Sequence, residues 1–255
     1  MQTRRQYYVD VVRVLALKDF KIRYRNSALG FLWSLLNPLA YMAILTVVFS
    51  LLLRVSIPNY APWLLLGLLI WRFFSIGTGQ SLSSVVGNPS LVGKVYLPRY
   101  LIVLSNNLAN LLGAALEFIA LLPLIVLLGV RLTPFVLLLP LILGLEFLLI
   151  FALSLALSAL NLKYRDFYQM WDIALQLGFF LSPIIYDPSL IPVRYQLVYF
   201  LNPVTRLINS TRDIFLYSRL PSFFDIAIVL SADAILLCIG LLVFRHFEPR
   251  FAEEI

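Results

Sequence analysis

What this 255-residue chain has least of is charge, cysteine and histidine. Charged residues make up only 13% of it, against roughly 25% in soluble domains, which excludes a chain that keeps its surface in water. One cysteine, Cys238, excludes an intramolecular disulfide and a multi-cysteine metal site, and a single histidine, His246, cannot complete a metal set. Nucleophile motifs, zinc-ligand sets and interfacial carboxylate pairs are lacking, and Glu253-Glu254 reads as a solvated tail. The stretch from Gly87 to Val95 fails as a phosphate loop. Five residues instead of four separate its glycines, Val follows Lys94, and an apolar run precedes it where a strand should stand. The expectation is a chain with no catalytic residue, no metal and no nucleotide site. No internal repeat is evident, and no cleavable signal peptide is expected, because the first apolar run starts too late and is too long.

What is there is apolar. Hydrophobic residues supply 61% of the chain and mean hydropathy is +0.91. An all-α, polytopic membrane protein follows, organised as one transmembrane domain over 1–255. Its key stretch begins at Lys21, where a basic segment gives way to sequence without charge from Asn26 through Leu53. As a helix this more than covers a hydrocarbon core of ~30 Å. Six spans are expected, at 29–53, 61–86, 100–130, 134–160, 168–187 and 222–245, bounded by charge, proline or glycine. Seven basic residues from Arg4 to Arg25, then Lys94, Arg99, Lys163, Arg165, Arg245 and Arg250, fall on one side. The short loops opposite hold only Arg54 and Arg131, and Arg194, Arg206, Arg212 and Arg219 fall in a long outer segment that weighs little on topology, so the basic side and both termini are placed in the cytoplasm. This pattern accounts for the net charge of +7 without a nucleic-acid partner.

Residues 1–28 hold an N-terminal interface helix. At 100° per residue Tyr8, Val11, Val12, Leu15 and Ile22 share one sector, and Asp10, Arg13, Lys18 and Lys21 another, as for a helix lying on the cytoplasmic membrane surface. Residues 188–221, between spans five and six, are cut by Pro188, Pro192, Pro203 and Pro221 into two short helices. In the second, Val204, Leu207, Ile208 and Phe215 oppose Arg206, Asn209 and Asp213, the pattern of a re-entrant hairpin buried against protein on the outer side.

Polar residues form stripes within the spans. Asn106, Asn110, Gly113 and Glu117 share a face of span three; Gln169, Asp172, Gln176, Phe180 and Pro183 share one of span five; Trp33, Asn37 and Tyr41 follow at i, i+4, i+8 on span one. Such faces either line a wet passage or bond neighbouring helices. Glu117 and Glu146 have no evident basic partner at their depth, and Arg72, Asp172 and Asp233 are the other charges inside spans.

Arg23-Tyr24-Arg25, Leu29-Gly30, Trp33 and Asn37-Pro38 resemble the start of the first span in polysaccharide and polyol-phosphate export permeases, the membrane subunits of type-2 ABC exporters. Asn88 through Pro98-Arg99, Tyr164-Arg165-Asp166, the run Phe179 to Tyr186, Asn202-Pro203 and Arg212 follow in the order of that family. The resemblance covers nearly the whole chain. It implies that two copies pair, that two ATPase subunits holding ATP and Mg dock beneath them, and that an undecaprenyl-pyrophosphate-linked polymer leaves through a channel between the copies. It implies ATPase coupling through Asn88, Lys94, Arg99, Tyr164, Arg165 and Asp166. Arg23 and Arg25 are candidates for the lipid pyrophosphate, because a guanidinium grips phosphate through a fork. Trp33, Asn37, Tyr41, Trp71, Gln176, Phe179, Phe180 and Tyr186 are the candidate channel lining, offering aromatic faces and amides to sugar rings. Arg72 departs from the family pattern, standing after Trp71 where an aromatic or apolar residue is expected. The alternatives are an ABC permease for teichoic acid, a drug or a small lipid, a secondary transporter using Glu117 and Glu146, and a membrane-embedded enzyme acting on polyprenyl phosphates.

Overall fold

Apolarity on every side marks one helix for the centre of the molecule. The computed structural model describes residues 4–25, 30–52, 54, 57–89, 91 and 97–251, and every regular element among them is helical. In order these are α1 (Arg4–Tyr24), α2 (Leu32–Thr46, prolonged by a wider turn over Val47–Leu52), α3 (Tyr60–Leu82), α4 (Tyr100–Leu127), α5 (Leu139–Lys163), α6 (Phe167–Leu181), α7 (Val193–Leu201), α8 (Pro203–Phe215) and α9 (Phe223–Phe247). Helix α3 carries apolar residues all round, from Trp63 through Trp71, and is the helix the others surround. It packs on α2, α4, α5, α6 and α8. Helix α9 lies along α5, and α1 lies along α4.

Among the described residues, five segments are long and apolar enough to cross a membrane: Leu32–Ser50, Tyr60–Leu82, Tyr100–Leu127, Pro134–Lys163 and Phe223–Phe247. The expected fifth of six spans is different. Helix α6 has 15 residues, about 22 Å, which falls short of a ~30 Å hydrocarbon core. It ends where it does because Pro183 forces the preceding Ser182 into extended backbone (φ −103°, ψ 151°). Pro183 therefore does not continue the helical stripe of Asp172, Gln176 and Phe180, and Ser182–Ile185 turn back into the interior, all buried.

The outer pair of helices forms as its sequence requires. Pro203 occupies the first turn of α8, and the Asn202 side chain accepts the Val204 N–H at 3.0 Å, capping it. Helix α7 has no buried residue, whereas α8 is buried on nearly every side. The expected polar face of α8 is covered too, because each charge there has a partner. Arg206 pairs with Asp225 at the start of α9, Arg219 reaches Asp213 at 2.8 Å, and Arg212 lies over the Trp63 ring. In α1, Tyr8, Val11, Val12 and Leu15 pack on a second apolar cluster with Leu101 and Phe244, but Ile22, assigned to the same sector, is exposed.

One close approach fixes the α5–α9 contact. A Cβ on Gly240 would lie 2.3 Å from the Ala152 carbonyl oxygen, a backbone atom that cannot swing aside. Small residues at such crossings let membrane helices pack backbone to backbone. Gly240→Ala is expected to destabilise the fold by about 2 kcal/mol through overpacking. Thermal unfolding in detergent checks this, and a wild-type melting temperature would show that the two helices separate freely.

Candidate substrate groove

Helices α2, α3 and α6 enclose an open groove of about 630 Å³. Six of the eight residues expected to line a channel border it: Asn37 and Tyr41 from α2, Trp71 from α3, and Gln176, Phe179 and Phe180 from α6. Trp33 is not among them and is exposed on α2. Tyr186 also lies outside the groove lining, beyond the end of α6; its hydroxyl donates to the Phe180 carbonyl at 3.0 Å and its ring faces Tyr199.

The aromatic wall is built by close packing. Trp71 meets Phe179 edge to face at 6.1 Å, and Phe179 meets Phe180 in the same way at 5.3 Å. Gly178 makes room for this, since a Cβ there would sit 2.8 Å from the tip of the Trp71 indole. Trp171 pins α6 to α3 by donating from Nε1 to Thr78 Oγ1 at 3.1 Å. Gln176 is held by Asp172, whose Oδ2 accepts its Nε2 at 2.8 Å, and Asp172 lines the same groove.

Arg72, expected from the sequence as a charge inside a span and a departure from the family pattern, sits in the groove and ties three helices. Its Nη1 donates to Asn37 Oδ1 at 2.6 Å, and its Nη2 to the Ser34 carbonyl and to Glu117 Oε1, each at 3.3 Å. The expectation that Glu117 lacks a basic partner is thus corrected: Arg72 is its ion pair. Helix register brings them together. Ser81 of α3 donates to Asn107 of antiparallel α4 at 2.9 Å, and stepping nine residues back along α3 and nine forward along α4 reaches Arg72 and the turn of Glu117. The expected span ends at 86 and 100 already placed the two within about a turn of each other. The α4 stripe serves helix contacts and not the groove: Asn110 bonds Asn106, and Gly113 leaves space for Arg23 and Tyr24 of α1. Glu146 is wholly buried in α5 and forms no ion pair among the described residues.

At one end of the groove Arg23 donates to Gln80 Oε1, and Gln80 is itself a lining residue. Arg25, two residues further and just past the end of α1, is exposed. Burial pushes the nearby Asp19 carboxyl above its usual range, opposed by Lys18, Arg23 and a hydrogen bond with Asn106. Of the candidate ATPase contacts, Asn88 accepts from Lys18 at 3.4 Å, and Tyr164, Arg165 and Asp166 are exposed. Arg99 is turned inward to the Glu248 carbonyl, and Lys94 lies outside the described residues.

Five long apolar helices, two of which join α6 in enclosing an aromatic and amide-lined groove, define a multi-pass membrane permease. The chain belongs to the ABC-2 type transporter family, whose sequence profile matches residues 10–216. It is the membrane subunit of a type-2 ABC exporter, as the ordered motifs lead one to expect. Among its relatives is the O-antigen export system permease protein RfbA of Klebsiella pneumoniae, 35% identical over 252 residues, covering 97% of this chain and 95% of that one. RfbA of Myxococcus xanthus is 32% identical over 97% of this chain and 96% of its own. The polysialic acid transport protein KpsM of Escherichia coli is 24% identical, with 93% of each chain covered.

Proposed function

We propose that this permease exports an O-antigen-like polysaccharide, linked to undecaprenyl pyrophosphate, across the cytoplasmic membrane. It pairs with a second copy and with two ATPase subunits, which bind the nucleotide. Both termini lie in the cytoplasm, the five long segments cross, α6 with the buried Ser182–Ile185 turn makes a sixth crossing inside protein, and α7 and α8 stand on the outer side. The observation that carries this reading is the groove, in which Tyr41, Trp71, Phe179 and Phe180 alternate with Asn37, Gln176 and Asp172. Such a surface binds hydroxyl-rich rings weakly at many points, as a moving polymer requires. Near-full-length similarity to permeases named for O-antigen export supports the substrate class.

Each part has a role within this reading. Arg23, at the Gln80 end of the groove, and Arg25, exposed at headgroup level, take the pyrophosphate of the lipid. Asn88, Lys94, Arg99, Tyr164, Arg165 and Asp166 mark the two connections that meet the ATPase. The groove becomes a closed channel when the second copy covers it.

The test is deletion of the gene, which should make a lipid-linked glycan accumulate on the cytoplasmic leaflet. Complementation with Tyr41→Ala/Phe180→Ala should restore assembly with the ATPase while export remains slowed by about tenfold, the loss of two stacking contacts worth about 0.7 kcal/mol each. Accumulation of a teichoic acid precursor or a small lipid would replace the substrate. Full export by the double variant would move the path elsewhere.

A further inference from the structure

The last turns of α9 gather groups that the groove does not use. Pro249 has no N–H to continue the helix, so α9 stops at Phe247 and a tighter turn follows over Glu248–Arg250. That turn returns Phe251 beneath the bundle, where it is fully buried and meets Phe244 edge to face at 5.2 Å. Two cations converge here. Arg99 donates to the Glu248 carbonyl and lies 5.7 Å from the Phe251 ring, while the Lys163 ammonium lies 5.3 Å from the Phe247 ring. Carbonyls at a helix C-terminus are unsatisfied and carry partial negative charge, so cations belong there.

The origin of these cations is what matters. Arg99 closes the connection between α3 and α4, and Lys163 opens the one between α5 and α6. Both connections are thereby fastened to one element. The opposite end of that element is fastened too, because Asp225, in the first turn of α9, pairs with Arg206 of α8. Between the two ends runs a helix of 25 residues, about 37 Å long, packed along α5.

We propose that α9 is the transmission rod of the exporter, with Phe251 as the positioning residue that locks the α3–α4 connection to it, Phe247 holding Lys163 of the α5–α6 connection, and Asp225 delivering the displacement to α8. This rests on the reading of those connections as the ATPase contact. Burial of Phe251 prevents the α3–α4 connection from moving without α9, and the Arg206–Asp225 pair prevents α9 from moving without α8.

Hydrogen exchange on the assembled complex, nucleotide-free and trapped with ATP and vanadate, separates this from a plain packing role. In wild type, exchange at 97–101 and at 203–215 should change together on trapping. In Phe251→Ala the first region should still respond and the second should not, with export reduced by about tenfold or more, the scale of a lost coupling between sites. Phe251→Leu keeps an apolar anchor but no ring for Arg99, and should fall between the two; it also serves if the alanine variant does not fold. Retained response at 203–215 with normal export, in a variant whose 97–101 segment has become faster to exchange, overturns the proposal. Failure of the wild-type chain to hold an ATPase subunit at all would overturn the functional reading instead.

Discussion

Glu117→Ala is expected to lower the stability of the permease by about 2 kcal/mol, a fall of about 4–8 °C in melting temperature. The pair it breaks joins α3 and α4 at 3.3 Å, with side-chain exposures of 16% and 10%. Removing one member of a well-buried pair leaves an uncompensated charge, and the partly open groove reduces that cost by hydrating Arg72. Glu117→Gln keeps an acceptor and should lose about half as much. The combination Arg72→Leu with Glu117→Leu should recover most of the stability, since apolar replacement of a whole pair is often neutral. Export should not recover with it. Arg72 also holds α2 through Asn37 and the Ser34 carbonyl, so the double variant leaves one wall of the groove untied. A double-mutant cycle read by thermal unfolding, alongside an export assay, checks both claims. Strict additivity of the single effects would mean that the pair is not an energetic unit.

Arg212→Ala should cost more, about 3 kcal/mol, and should abolish export. Arg212 is 2% exposed and its guanidinium carbon lies 3.3 Å from the centre of the Trp63 ring. Its Nε donates to the Trp63 carbonyl at 3.2 Å and its Nη2 to the Ile184 carbonyl at 3.4 Å. One side chain thus joins α8, α3 and the turn that follows α6. Alanine leaves a cavity, an unstacked indole and two acceptors without this donor. Lysine keeps the charge but neither the flat face nor the fork, so Arg212→Lys should resemble the alanine variant. Gly67→Ala supplies an independent route to the same defect, because its Cβ would stand 2.8 Å from Arg212 Nη2 and push the guanidinium off its site. Wild-type stability and export in Arg212→Lys would show that charge alone holds this junction.

Much of this architecture was legible in the chain. Long apolar runs with few charges marked the five long helices, because a stretch of about twenty such residues matches the hydrocarbon core of a bilayer. Proline and asparagine marked the outer pair, since Pro203 and Asn202 dictate where α8 begins whatever surrounds it. Asn37, Tyr41, Gln176 and Phe180 of the groove share faces by their spacing, because α2 and α6 each present one polar face, whereas Trp71 and Phe179 entered with the family resemblance. The end of α6 was available from Ser182-Pro183 but was overridden by a hydrophobic run that continues past it.

Tertiary structure alone decided which polar groups meet. Trp33 and Trp71 have the same chemistry, yet one is exposed on α2 and the other forms the groove wall, because their surroundings are set by neighbouring helices. Helix α3 is apolar on all sides from Trp63 to Trp71, so that stretch carries no period that says which face looks at α4 and which at α6. The Arg72–Glu117 pair, the stacking of Arg212 on Trp63 and the return of Phe251 onto Arg99 each join residues 45 to 152 positions apart. Their distances depend on helix register and on backbone contacts such as Gly240 against Ala152. Periodicity within one helix fixes which residues share a face, but only packing between helices fixes what that face confronts.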